Sequence, residues 1–171
     1  DKFDDLIKSK ANSVNNLVKL EFQKTKIYLN IKELNLSVKL QKPKIYIKKS
    51  EINLSKLNLF LPIKSFFNSD FLLERAEVEF IKNDIKDLTK ITNIFLPRFI
   101  NKKLNKIFVK GSLQGKFSIP FDSDGNIGKN YDFNGKIQDA FINLKSDLSI
   151  KNLNAEINSL KTGNDNIFEI I

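Results

Sequence analysis

Large aliphatic and aromatic residues recur at every second position through much of this chain, with Lys, Asn and Ser between them. Leu34, Leu36, Val38 and Leu40 form one such run. Ile52 and Leu54 form another, followed by Leu57, Leu59 and Leu61. Val78 and Phe80, then Phe117, Ile119 and Phe121, then Leu148 and Ile150 repeat the pattern. A period of two places the apolar side chains on one face of a strand and the polar ones on the other. Such a sheet has a greasy face and a wet face, so the question of function becomes what covers the greasy one: protein, a partner or lipid.

A length of 171 residues is enough for a domain with a sizeable core, and 41% hydrophobic against 29% charged residues suits a folded chain. No apolar run approaches the ~18–20 residues of a membrane-crossing helix, and no secretory signal is visible. The chain starts at Asp1 and contains no Met, which reads as a piece of a longer protein. With no His and no Cys, a zinc site, a Ser-His-Asp triad, a Cys-His pair and disulfides are excluded within it. The net charge of +9 invites a nucleic-acid reading. However, only Arg75 and Arg98 among 29 basic residues are arginine. Lys, Asn, Ile and Phe share AT-rich codons, so a low-GC genome produces this bias without selection for charge. Base readout favours Arg, whereas lysines on a wet face keep sheet edges unattractive to other chains. No nucleic-acid partner is expected.

Along the chain, Phe3, Leu6, Ile7, Val14, Leu17 and Val18 fall near helical spacing, predicting a helix over 1–18 with Asp4 and Asp5 in its first turn. It reads either as a cap over one end of a sheet or as an amphipathic segment emerging from a membrane anchor. Residues 20–80 read as strands. Ile27, Leu29 and Ile31 stand at odd positions and Leu34 to Leu40 at even ones, so a turn or bulge belongs at Lys32-Glu33. Pro43 breaks a ladder, and Pro62 opens a single helical turn through Ile63, Phe66 and Phe67. A strand is predicted over 71–80. Asn83-Asp84 reads as an N-cap for a helix over 83–105, kinked at Pro97. Strands return at about 107–121, 130–144 and 146–158, joined by tight turns in an antiparallel meander. The predicted fold is α+β and β-dominated: one structural unit over 1–171, an antiparallel curved sheet forming a trough, with an N-terminal helix and a kinked middle helix.

Little in the sequence points to chemistry. Asp122, Asp124 and Asn126 resemble the start of a calcium loop, but the sixth and twelfth positions hold Ile127 and Phe133 instead of Gly and Glu. A hairpin turn around Asp124-Gly125 is the simpler reading. Glu77 and Glu79 share a strand face, with Glu74 out of phase, and cross-strand lysines are their natural partners. Gly111-Ser112-Leu113-Gln114-Gly115 lacks the ending of a phosphate loop, and its glycines mark a bulge or bend. No catalytic residue, metal or cofactor is expected.

The segment Leu57-Asn58-Leu59-Phe60-Leu61-Pro62-Ile63-Lys64-Ser65-Phe66-Phe67 pairs an alternating strand with a proline and a short helix, and continues into Phe71 to Ile81. Together with Val109 to Ile119 and the Gly-containing strand from Phe133 to Ile137, this layout resembles the N-terminal region of AsmA-like and TamB-like proteins of Gram-negative bacteria, over most of residues 20–158. The resemblance implies a bridge-like lipid-transfer protein in the periplasm, anchored in the inner membrane by a segment upstream of Asp1. Its trough would carry phospholipid acyl chains between inner and outer membranes. The residues expected to line it are those of the alternating runs: Leu34, Leu36, Val38, Leu40, Leu54, Leu57, Leu59, Leu61, Val78, Phe80, Phe117, Ile119, Phe121, Leu148 and Ile150. Two alternatives stay open. The greasy faces could close on each other or on the middle helix. The same face could also hold envelope protein partners, as a scaffold acting in outer-membrane protein assembly.

Overall fold

A computed structural model describes residues 2–14, 18–47, 50–64, 72–89, 98–125, 128, 132–145, 147–162 and 165–171. Helix α1 (Lys2–Val14) precedes strands β1 (Val18–Glu21), β2 (Thr25–Asn30), β3 (Asn35–Leu40), β4 (Lys44–Ile47), β5 (Ser50–Pro62) and β6 (Arg75–Asp84). A helical segment at 85–89 and helix α2 (Arg98–Ile107) follow. Strands β7 (Phe108–Pro120), β8 (Asp132–Lys145), β9 (Leu148–Thr162) and β10 (Asp165–Ile170) complete the chain. The strands form one open, curved, antiparallel 10-stranded sheet in the order β1-β4-β5-β6-β7-β8-β9-β10, with β2 paired to β3 and β3 to β5. The fold class is therefore α+β and β-dominated, as the alternation predicts.

The first five strands are a bent three-strand meander. β3 and β4 pair with β5 in one unbroken register, from Asn35↔Pro62 to Leu40↔Leu57 and on from Lys44↔Asn53 to Ile47↔Ser50. β1 and β2 continue one another in the same way against β4 and β3. The break in the middle falls where Lys42 adopts φ 50° and Pro43 withholds a ladder N–H. The backbone of Gln41 still exchanges hydrogen bonds with that of Gln23 and Lys24 there, both 2.9 Å. A bulge between Leu54 and Lys56 bends the third strand at the same level. The turn expected at Lys32-Glu33 is present over residues 31–34.

Boundaries differ from the sequence reading in several places: Val18, expected in the first helix, opens β1 because it pairs with Ile47, and β9 runs on to Thr162 because it pairs with β10. The strand expected over 71–80 starts at Arg75 and runs on to Asp84, because Asn83 and Asp84 pair with Leu113 and Ser112 of β7. Hydrogen bonding across the sheet thus delays the helix, which starts at 85 and not at 83. Asp84 does cap it: its Oδ1 accepts the Lys86 N–H at 2.7 Å. α2 extends to Ile107; the kink expected at Pro97 and the helical turn expected at Phe66-Phe67 lie outside the described residues. Finally, β10 is a strand that the period-two reading stopped short of.

Two clusters form the core. In the first, Ile7 of α1 packs with Leu20, Phe22, Val38, Leu40, Leu57, Leu59, Leu61 and Ala76. In the second, Ile85 packs with Ile137, Ala140 and Ile142, flanked by Ile107, Phe108, Leu113, Leu153 and Ile157. Each fully buried aliphatic side chain contributes roughly 1.5–3 kcal/mol. α1 is further tied down by Thr25, whose hydroxyl donates to Asp4 Oδ1 at 2.8 Å, and by Lys8 over the Phe22 ring at 4.9 Å. It is a cap over the sheet, one of the two roles open to it from sequence.

Candidate apolar face of the sheet

Strand register decides which of the alternating residues meet. Residues directly opposite in an antiparallel pair share a face. Leu40, Leu57, Val78, Phe117 and Phe133 stand opposite one another in a row across β3, β5, β6, β7 and β8. Val38, Leu59, Ala76 and Ile119 form the next row, and Leu36 stands opposite Leu61 beyond it. On the other side, Phe80 continues through Gly115 and Gly135 to Ile157, with Leu54 opposite Phe80 on β5. Twelve residues singled out from the alternation thus lie on or beside one continuous face: Leu36, Val38, Leu40, Leu54, Leu57, Leu59, Leu61, Val78, Phe80, Phe117, Ile119 and Phe121, which packs at the margin of the first cluster.

Three do not. Leu34 is 67% exposed in the 31–34 turn with φ 49°; it shares the parity of β3 but stands before its first residue. Leu148 and Ile150 are 51% and 39% exposed and belong to neither cluster. Ile150 nevertheless stands opposite Ile142 of the second cluster, because a bulge at Asn152, φ 55°, carries the alternation from odd positions at Ala155 and Leu153 to even ones. The face also contains residues the alternation passed over. Ala76, Phe133, Ile137, Ala155 and Ile157 belong to it, and the run Phe133-Gly135-Ile137 carried that signal with a glycine in its centre.

Cover is uneven. Val38, Leu40, Leu57, Leu59 and Leu61 are buried in the α1-capped cluster. Phe80, Phe117 and Phe133 belong to neither cluster and are half-buried. Phe133 stacks on Phe80 with centroids 6.2 Å apart and meets Phe117 edge-on at 6.0 Å. Its ring lies flat because Gly115 and Gly135 have no side chain beneath it. A Cβ on Gly135 would run into the Phe133 ring, and one on Gly115 would stand 2.8 Å from the Gly135 Cα.

The opposite face is wet. Glu77 lies between Lys56 at 3.5 Å and Lys116 at 3.6 Å, the cross-strand pairing expected of it. Lys136 pairs with Glu156 at 2.8 Å. A shallow depression of about 490 Å³ opens on this face over β6–β9, lined by Glu79, Gln114, Lys116, Asn134, Lys136, Glu156 and Asn158 among others. The hydrogen bond from Lys136 holds the Glu156 carboxyl below its usual value. That is the reverse of the upward shift a general acid needs at neutral pH. Asp122 forms a turn, its Oδ1 accepting the Asp124 N–H and its carbonyl the Gly125 N–H, both at 3.0 Å. Among the described residues, no group of acidic side chains could hold a metal ion, and no helix is long and apolar enough to cross a membrane.

No protein family, curated protein or solved structure matches the chain.

Proposed function

We propose that the chain is a non-enzymatic, lipid-binding segment of a bacterial cell-envelope protein of the AsmA-like and TamB-like kind. In this reading it works in the periplasm, in phospholipid transport between inner and outer membranes. The observation that carries the reading is the apolar face that stays in register from β3 to β9, capped by α1 at one end. Its aromatic stretch of Phe80, Phe117 and Phe133 lies between the two clusters and outside both. An acyl tail of ~16 carbons gains on the order of 10 kcal/mol by leaving water, at ~0.8 kcal/mol per methylene. Against its own bilayer that gain nearly cancels, so a tail on such a face can enter, slide and leave.

The test is native mass spectrometry of the 171-residue chain exported to the periplasm of a Gram-negative host, with lipid extraction alongside. Bound phospholipid is expected at a stoichiometric level and is expected to vanish in F80N/F117N, with the fold checked by circular dichroism. Charging Leu36 and Val38 is the poorer test, since Val38 is 0% exposed and a charge there attacks folding itself. A stable, lipid-free wild-type monomer would overturn the reading. The protein-scaffold alternative draws on the open edges: among the described residues β10 pairs only with β9, and β2 only with β3. Strand addition there would extend the sheet.

A further inference from the structure

The β2–β3 hairpin carries its apolar side chains to the wrong place for a core. Ile27 and Leu29 belong by register to the apolar face, opposite Val38 and Leu36, yet Leu29 is 59% exposed. At the tip Ile31 is 75% and Leu34 67% exposed, and Tyr28 stands exposed on the other side of the ribbon. Leu34 also holds φ 49°, a left-handed conformation that Gly or Asn adopts more readily. Nothing in the packing of this fold requires a leucine there.

The charges around this tip are predominantly positive. Lys24, Lys26, Lys32, Lys39 and Lys42 are exposed on the hairpin and its base, and Lys26 stands directly opposite Lys39, a repulsive pairing. The one carboxylate, Glu33, is turned back toward Arg75 at 3.4 Å and Asn35 at 3.1 Å. Five lysines against one glutamate leave a net charge of +4 over residues 24–42. An apolar tip, an amphipathic Tyr and a collar of five lysines around one glutamate match the boundary between phospholipid headgroups and acyl chains. A second copy of this chain fits poorly, because pairing two β2 edges sets two net-positive hairpins side by side.

We infer that the β2–β3 hairpin is a membrane-docking device that inserts Ile31 and Leu34 into the surface of an anionic bilayer, with Lys26 and Lys32 on the lipid phosphates. The inference does not depend on acyl chains occupying the sheet face. Its test is co-sedimentation of the 171-residue chain with phosphatidylcholine vesicles, with and without phosphatidylglycerol. Binding is expected only with the anionic lipid and is expected to fall with salt. I31N/L34N should lower the partition coefficient by roughly tenfold or more, since apolar insertion carries the attachment. K26Q/K32Q should lower it by about tenfold and flatten the salt dependence. Both pairs are exposed, so circular dichroism should show an unchanged fold, and F80N/F117N should still dock. Absence of binding at low ionic strength would overturn the inference, as would unchanged binding by I31N/L34N. So would a concentration-dependent dimer that I31N/L34N abolishes, which would make the tip a self-association surface.

Discussion

Asn83 offers the sharpest test of how the bent sheet is held. Direct pairing of β5 with β6 ends at Leu54↔Phe80, where β6 bulges before Asn83. The Asn83 side chain is buried and reaches back across the gap. Its Oδ1 accepts the Asn53 N–H at 2.7 Å, while its Nδ2 donates to the carbonyls of Asn53 at 3.0 Å and Ile81 at 2.6 Å. The carboxamide thus stands in for a missing peptide group. N83A removes these bonds without changing the apolar core. At a net ~1 kcal/mol each, and with water able to reach the exposed Asn53 side, the expected loss is about 2–3 kcal/mol. For a chain of this size that is a fall in Tm of roughly 5–10 °C. Thermal unfolding by far-UV circular dichroism reads the total. Hydrogen exchange reads the site: the Asn53 amide should lose its protection while that of Ile52, on the β4 side, keeps it. N83D should be no better than N83A, since a carboxylate cannot donate to the two carbonyls. A Tm within a degree of wild type, with Asn53 still protected, would refute the reasoning.

Two further outcomes follow from local geometry. Gly111 holds φ 132° with room for no side chain, since a Cβ would stand 2.7 Å from the Cα of fully buried Ala140 and 3.2 Å from Ile85; G111A should cost about 2–4 kcal/mol in urea unfolding from backbone strain and overpacking together. Glu156 is held below its ordinary pKa by Lys136, so its share of stability is present above the usual carboxylate range and is lost as pH falls through the folded value. Denaturation midpoints of E156Q should therefore lie slightly below wild type at pH 7 and converge with it in acid, and a constant offset would refute this.

The apolar face was legible because its residues alternate over long, regular stretches, as in Leu57-Leu59-Leu61 and Phe117-Ile119. What sequence hid were the places where phase changes without a glycine or proline to mark it. Asp139 and Asn152 adopt positive φ; Asp and Asn tolerate it better than most residues, but they occur throughout this chain and so do not single out these two positions. Leu34 misled for a related reason: it keeps step with Leu36, and only the turn geometry removes it from the strand. Strand β6 outran its predicted end because pairing with β7 is worth more to Asn83 and Asp84 than an earlier helix start. β10, by contrast, was within reach. Gly163-Asn164 is a two-residue hairpin signal between Thr162 and Asp165, which pair directly.

Closed core and open groove were rival readings of one pattern, and the structure assigns the closed core to one stretch of the face. From β3 to β5 the rows run under α1 and contribute to stability. From β6 to β8 the same rows pass through Phe80, Phe117 and Phe133, outside either cluster. Two strand spacings of ~4.8 Å make that stretch about 10 Å wide, whereas one leaflet of acyl chain is about 15 Å long, half of a ~30 Å hydrocarbon core. On the proposed function, a tail laid across the strands therefore outruns the aromatic stretch, and one laid along them does not. The strand direction, from Phe117 through Ile119 to Phe121 at ~3.4 Å per residue, is then the path on which a tail meets apolar side chains throughout, ending at Phe121 on the margin of the α1-capped cluster.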